Sequence, residues 1–291
     1  LEDPAILGII PEEARGKVWT ADLGKAGIRN YGQLVPRGMG RPRPGAMELI
    51  FNGGIMRLAR WPNDGWVMVA GLTAVDGVSR NTEYQEGKFR YSDNRPERWK
   101  NEKDMWIKGY LGVMQPYALI HARIGSIDTA EKVISLLPDT LPGANKWGAA
   151  RVSKNHPYFV YNLLSELDSP GEFYIDRDTG ILYFYPPADP DKGEAVVTTL
   201  DAPLFSFRDA SNIALFGLLL EGTWRNGIEM SGGRNNIIAG SVIRNTGQFA
   251  VKIDSGWEHS VVGCDMYDMG EGGVFLNGGD RARLIPSRHL V

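Results

Sequence analysis

Two motifs near the C-terminus recur with the same spacing of 23 residues. The first begins at a glycine and occurs at 217–222, 240–245 and 263–268. The second ends in a small residue and a glycine and occurs at 227–233, 250–256 and 273–279. Periods of 20 to 30 residues are typical of solenoids, in which each repeat packs on its neighbours in the chain. The shared period therefore predicts that 201–291 form stacked coils.

Each repeat alternates apolar and polar residues in short runs separated by Gly and Asn, and none contains a helical pattern. Alternation with period two indicates strands with one buried face. The sequence therefore predicts an all-β protein whose C-terminal part is a right-handed parallel β-helix of about three to four coils. The predicted inward stacks are Leu218/Ser241/Cys264, Leu220/Ile243/Met266, Ile228/Val251/Val274 and Met230/Ile253/Leu276. Gly222, Asn245 and Asp268 are predicted to share one turn, since these residue types tolerate left-handed backbone.

Composition supports this class and excludes others. The 291 residues include 36 glycines, which suits frequent tight turns, and 43% are hydrophobic, which is enough for a substantial core. A net charge of −3 without a Lys/Arg-rich block argues against a nucleic-acid partner. No apolar run is long enough to predict a membrane span. Cys264 is the single cysteine, so an intrachain disulfide is excluded.

The chain before the repeat has a different pattern. Residues 47–61 predict a hairpin around Asn52-Gly53, and 172–185 predict a second hairpin rich in aromatic residues. We therefore predict an inserted, mainly antiparallel β domain over 46–200, with a strand at 132–136. Its tryptophans at 61, 66, 99 and 106 are expected in the core. Residues 1–45, with a possible short helix at 12–17, are predicted to be a connector or an edge of the β-helix.

Three groups of motifs carry a family resemblance. They are Phe51-Asn52-Gly53 with Arg60-Trp61-Pro62-Asn63, then Pro170-Gly171-Glu172-Phe173-Tyr174 with Thr179-Gly180-Ile181-Leu182-Tyr183 and Pro186-Pro187, and then Gly270-Glu271-Gly272-Gly273-Val274 with Gly278-Gly279-Asp280-Arg281. In these motifs the chain resembles bacterial β-helix proteins with an inserted β domain, similar to glycoside hydrolase family 141 and, more distantly, to β-helix xylosidases. The resemblance implies an enzyme of polysaccharide degradation, secreted or periplasmic, that needs no cofactor and has a poly- or oligosaccharide as partner.

Members of that family carry further coils on both sides of the segment seen here. We therefore expect the chain to be an internal segment of a longer β-helix, with both coil ends unsealed. Exposed strand edges invite pairing with other chains. Self-association through these ends is the expected consequence.

Carboxylates on neighbouring coils are the candidate catalytic groups. Glycosidic cleavage commonly uses two carboxyl groups, about 5–5.5 Å apart in retaining enzymes and roughly 6.5–9.5 Å apart in inverting ones. Asp254 is predicted to point outward, and Asp280 follows the equivalent strand of the next coil, so these two form the predicted pair. Arg281 would favour an ionised Asp280, which makes Asp254 the provisional acid. Glu271 is the reserve carboxylate, and capping of turns is the alternative role for all three.

Four further residues are predicted to contact substrate: Lys252, Trp257, His259 and Arg281. Trp257 offers a ring for sugar stacking, whereas His259 also fits a solvated turn. Lys252 and Arg281 admit a second reading, as the base and the stabilising cation of a polysaccharide lyase. No metal site is predicted, because the Asp cluster that would hold calcium against a uronate is missing. A third reading is a β-helix that binds carbohydrate, or serves a structural role, without catalysis.

Overall fold

The computed structural model describes residues 3–38, 43–73, 85–111, 119–137, 151–152 and 154–291. They form two compact units. The sheet unit comprises Leu1–Arg29, Val35–Arg41 and Met56–Glu194, and the solenoid unit comprises Asn30–Leu34, Pro42–Ile55 and Ala195–Val291. None of the helices in the described ranges is both long and apolar enough to cross a membrane.

The helices are short and most of the regular structure is β. The helices are α1 (Pro4–Leu7) and 3₁₀ helices at Glu12–Ala14, Arg95–Trp99, Leu164–Glu166 and Pro190–Lys192. The strands are β1 (Trp19–Asp22), β2 (Arg37–Gly38), β3 (Leu49–Phe51), β4 (Gly54–Ile55), β5 (Arg57–Leu58), β6 (Arg60–Trp61), β7 (Val67–Met68), β8 (Gln85–Glu86), β9 (Lys88–Arg90), β10 (Trp106–Gly109), β11 (Ile120–Asp128), β12 (Val133–Leu136), β13 (Arg151–Val152), β14 (Pro157–Tyr161), β15 (Glu172–Asp176), β16 (Ile181–Tyr185), β17 (Ala195–Val197), β18 (Phe205–Arg208), β19 (Ala214–Phe216), β20 (Leu219–Thr223), β21 (Ile228–Ser231), β22 (Ile237–Ala239), β23 (Val242–Thr246), β24 (Phe249–Asp254), β25 (Ser260–Val262), β26 (Asp265–Met269) and β27 (Gly272–Asn277).

Three parallel sheets build the solenoid. Their strand orders are β18-β21-β24-β27, β19-β22-β25 and β20-β23-β26. Paired residues are 23 positions apart throughout, as in Ile228, Val251 and Val274. The predicted parallel β-helix of about three coils is confirmed, because the sequence period and the strand register are the same number.

The interior contains the predicted stacks. Ile228, Val251 and Ile253 are fully buried. Ser241 is also inside, where its Oγ accepts the N–H of Leu218 at 3.2 Å and donates to a backbone carbonyl. Leu276 holds the predicted register against Ile253 but is 45% exposed. The prediction that Leu276 is buried was wrong, because β27 is the last strand of its sheet and no described strand lies over it.

Left-handed backbone at the turns is confirmed. The predicted turn residues Gly222, Asn245 and Asp268 have φ values of 85°, 51° and 57°. The repeat-initiating glycines 217, 240 and 263 also have positive φ, and a Cβ at any of them would meet no atom within 4 Å. These glycines are therefore required by backbone conformation and not by lack of space.

One corner of the solenoid departs from the 23-residue period. Ser260 on β25 pairs with Leu290, 30 residues further on, and the backbone bonds of this pairing are 2.8 and 2.9 Å long. The seven extra residues, 280–286, form a separate turn in which Asp280 and Ile285 exchange two backbone hydrogen bonds. The strand position is kept, and the corner absorbs the additional chain.

The sheet unit is built from antiparallel sheets. The larger one has the order β6-β14-β10-β11-β12-β9, with β2 on β11 and β7 on β14, and a second one has the order β1-β16-β15-β5, in which the β15–β5 pair is parallel. Its main core contains Phe89, Trp99 and Ile107. Trp66, predicted to be core, is 40% exposed.

The predicted local elements are largely present. The hairpin at 172–185 forms from β15 and β16, and β12 matches the predicted strand at 132–136. The Asn52-Gly53 hairpin joins β3 and β4, and it pairs with β17 in the solenoid unit. The predicted helix at 12–17 is a single 3₁₀ turn.

Candidate functional site

The outward face of the four-stranded solenoid sheet presents two ladders of side chains, which we call the outward ladder face. In strand order the first ladder is Ser206, Glu229, Lys252 and Phe275, and the second is Arg208, Ser231, Asp254 and Asn277. Because parallel strands keep their register, each ladder repeats one position from coil to coil. Asp254 and Lys252, two of the predicted site residues, are thereby brought together.

Lys252 lies between two carboxylates on this face. Its Nζ is 3.5 Å from Glu229 Oε1 and 3.4 Å from Asp254 Oδ2. The two oxygens are therefore no more than about 7 Å apart, which is in the range of carboxyl spacings used for glycoside hydrolysis. Sequence reasoning placed Glu229 on the outward ladder but did not select it as a catalytic candidate. Its offset of one coil from Lys252 was the signal.

Asp254 is held in its ionised form. Asn277 Nδ2 donates a hydrogen bond to Asp254 Oδ1 at 3.0 Å. This hydrogen bond, together with the charge of Lys252, lowers the pKa of Asp254 below its ordinary value, against a smaller opposing effect of burial. A carboxylate in this state can accept a proton or attack a carbon. The provisional role of Asp254 as the acid is therefore disfavoured.

Aromatic rings accompany the carboxylates. Phe275 stands beside Lys252 in the first ladder, and its ring centroid is 5.5 Å from that of Phe249. Trp257 follows β24 in the next turn and is 47% exposed. Both offer apolar ring surface of the kind on which sugars stack.

Asp280 makes its contacts within its own turn. Its Oδ1 accepts the backbone N–H groups of Ala282 at 3.0 Å and Arg283 at 3.1 Å. The ion pair is also with Arg283, at 3.5 Å, and not with Arg281, which is exposed. This is the turn-capping arrangement that was the alternative for Asp280. Glu271 accepts the backbone N–H of Arg43 at 3.3 Å.

His259 lies inside the solenoid and is fully buried. Its Nδ1 accepts the N–H of Asn236, its Nε2 donates to the Gly232 carbonyl at 3.0 Å, and its ring stacks on His289. The sequence predicted an exposed substrate contact or a solvated turn, and the structure shows an interior polar ladder instead. The 23-residue offset from Asn236 to His259 was the signal that could have identified it.

The sheet unit contains a concave site of its own. A cleft of about 580 Å³ is lined by residues that include Glu12, Arg98, Glu102, Tyr174 and Asp176. Burial raises the pKa of Glu102, whose carboxylate accepts the N–H of Ser165 at 2.7 Å. The sequence analysis did not identify this cleft, because its residues come from distant segments of the chain.

Glu172 is a fully buried carboxylate in the sheet unit. Its Oε2 accepts the N–H groups of Asp168 and Ser169, and Arg57 Nε lies 3.6 Å from Oε1. Burial raises its pKa to about 7, although Arg57 opposes the shift. With no exposed surface, Glu172 acts on stability and not on substrate.

This pKa predicts a pH dependence of stability. Between the unfolded pKa near 4.5 and the folded pKa of about 7, the folded chain holds a proton that the unfolded chain has lost. The contribution of Glu172 is therefore complete at low pH and is lost as the pH rises through 7, by up to about 3 kcal/mol. Denaturant unfolding of Glu172→Gln should match wild type at pH 4.5 and show a more stable protein at pH 8.

The control is Glu12→Gln, which changes an exposed carboxylate of the same unit. It should follow wild type at both pH values. A Glu172→Gln variant that is destabilised equally at pH 4.5 and pH 8 would show that the pairing with Arg57 dominates over burial.

Comparison with known proteins bears on the architecture. No family model matches the chain, and no curated protein matches its sequence. A solved structure named glycoside hydrolase aligns over 88% of this chain with a TM-score of 0.52 and 14% sequence identity. The two chains share a fold. The alignment covers 57% of that glycoside hydrolase, so the chain spans little more than half of its length.

Proposed function

We propose that the protein hydrolyses glycosidic bonds of a poly- or oligosaccharide at the outward ladder face. The observation that carries the proposal is the pair of carboxylates, Glu229 and Asp254, held within about 7 Å on adjacent coils beside Phe275. The name of the solved structure that shares this fold supports the same reaction class. We also propose a secreted or periplasmic location, where such polymers are met.

The two carboxylates have different environments, which fits different roles. Asp254 is ionised, so we assign it as the base that takes a proton from the attacking water. Glu229 is then the acid that donates a proton to the glycosidic oxygen as the C–O bond breaks. Lys252 sits between them and steadies negative charge at Asp254. Because Lys252 already contacts two carboxylates, we do not favour it as the base of a lyase.

Substitution of the pair tests the proposal. The full-length protein is assayed on a panel of aryl glycosides and plant or algal oligosaccharides. Glu229→Gln and Asp254→Asn should each lower kcat by at least about 100-fold, because each removes a proton-transfer group. Thermal unfolding of each variant shows whether the fold is preserved.

Asp280→Asn is the matched control, since it changes a carboxylate that caps a turn. It should retain most of the wild-type kcat. A large loss in Asp280→Asn with full activity in Glu229→Gln would restore the pair Asp254 and Asp280 predicted from sequence. Full activity in both Glu229→Gln and Asp254→Asn would reject hydrolysis at this face. A product with a new C=C bond would indicate a lyase, and binding without turnover would indicate a non-catalytic module.

A further inference from the structure

Four side chains stand in a direct cross-strand row on the sheet unit. Arg37 on β2 pairs with His121 on β11, His121 pairs with Lys108 on β10, and Lys108 pairs with Phe159 on β14. Directly paired residues of antiparallel strands project to the same face. The neighbours Ile107, Ala122 and Val160 project to the opposite face and are fully buried in the core. We call Arg37, His121, Lys108 and Phe159 the cationic row.

Positive charge is concentrated along the cationic row. The guanidinium of Arg60 lies 3.6 Å from the centre of the Phe159 ring, and Lys108 Nζ lies 6.0 Å from it. Burial lowers the pKa of Lys108, and the charges of Arg37 and Arg60 add to the effect. Burial also lowers the pKa of His121 to about 3, with Lys108 and Arg37 contributing. The charges that perturb both groups are all positive.

The amine of Lys108 has no partner of its own. Within the described ranges it makes no hydrogen bond or ion pair, and its chain is half-buried. A half-buried cation beside two other cations costs free energy unless an anion binds. The row therefore has an unmet demand for negative charge.

An exposed aromatic ring borders the same place. Trp66 is 40% exposed, and its ring centroid is 5.0 Å from Phe159 and 5.9 Å from Tyr110. A large indole surface open to solvent, packed at one edge against Phe159, is suited to stack on the apolar face of a sugar ring. Cations with an adjacent ring platform match a sugar that carries an acidic group.

We propose that the cationic row is a binding subsite for an acidic sugar unit. The carboxylate or sulfate of that sugar pairs with Lys108 between Arg37 and Arg60, and its ring lies against Trp66. This inference rests on the proposed action on carbohydrate and narrows the substrate to an anionic glycan. It assigns recognition to the sheet unit, apart from the chemistry on the outward ladder face.

Calorimetric titration of the full-length protein tests the subsite. The ligands are a galacturonic acid trimer, its neutral methyl ester and a sulfated oligosaccharide of the same length. Wild type should bind the acidic trimer at least tenfold more tightly than the ester, and the sulfated ligand decides between the two anionic groups. Lys108→Met keeps the apolar stem and removes the charge, so it should lose at least tenfold of the affinity for the acid and none for the ester. Trp66→Ala should weaken both.

Lys103→Met is the matched control, because Lys103 is an exposed lysine of the same unit that is already paired with Asp178 at 3.1 Å. It should stay within twofold of wild type. Equal affinity for acid and ester, an unaffected Lys108→Met, or equal binding of an oligonucleotide of the same charge would each overturn the inference.

The two proposals fail separately. Asp254→Asn should abolish turnover and leave acid-selective binding intact. Acid-selective binding that depends on Lys108 without any turnover would reject hydrolysis and keep the subsite. Turnover that depends on Asp254 without acid selectivity would reject the subsite and keep hydrolysis.

Discussion

Replacing Ile253 by alanine is expected to lower the free energy of unfolding by about 2–5 kcal/mol. Ile253 is fully buried and is paired in register with Met230 on one coil and Leu276 on the next. The substitution removes apolar contacts on both sides and leaves a cavity that stacked strands cannot easily close. Denaturant unfolding of the full-length variant measures the effect.

Leu276→Ala is the matched comparison, since Leu276 holds the same register position one coil further but is 45% exposed. Its cost should be about 1 kcal/mol, because much of its surface already meets water. Equal costs for Ile253→Ala and Leu276→Ala would show that another chain covers β27 in solution, as the predicted self-association through the coil ends requires.

Glu166→Gln is expected to cost about 3–5 kcal/mol of unfolding free energy. Glu166 is fully buried, and its carboxylate accepts hydrogen bonds from Arg95 Nε at 2.9 Å and from Trp99 Nε1 at 2.6 Å. Arg95 also pairs with Asp168 at 3.1 Å. Loss of the charge leaves the guanidinium of Arg95 undercompensated and turns an amide towards groups that can only donate.

An exposed ion pair of the same unit provides the contrast. Glu131 lies 3.2 Å from Arg90, and both side chains are largely in solvent. Glu131→Gln should change stability by less than about 1 kcal/mol. A small effect of Glu166→Gln, close to that of Glu131→Gln, would mean that the amide is accommodated by rearrangement of Arg95.

The solenoid was predictable because its repeat acts at several levels at once. The same offset of 23 residues sets the strand register, the buried stacks at Val251 and Ile243, and the left-handed turns at Asn245 and Asp268. Period and alternation specify which residues face inward. They do not specify how much of an inward residue is covered, which is why Leu276 was assigned to the core.

The candidate site was less predictable, because contacts between side chains decide it. Asp254 and Lys252 follow from the outward alternation, and Glu229 follows once neighbouring coils are compared. The contacts of Asp280 depend on the turn at 280–286, where the repeat is interrupted. The cationic row joins segments far apart in sequence, so no local pattern indicates it. A role in glycoside hydrolase family 141 itself stays a prediction.

The corner at 280–286 gives the solenoid a place to vary. It takes up seven residues between β27 and the pairing of Leu290 with Ser260, and Leu284 at its tip is 87% exposed. Lengthening a surface loop costs little in closure entropy, because the cost grows slowly with loop length. Evolution can therefore alter the rim of such a scaffold while the strands beneath keep their positions, and a protein engineer can graft a peptide there for the same reason.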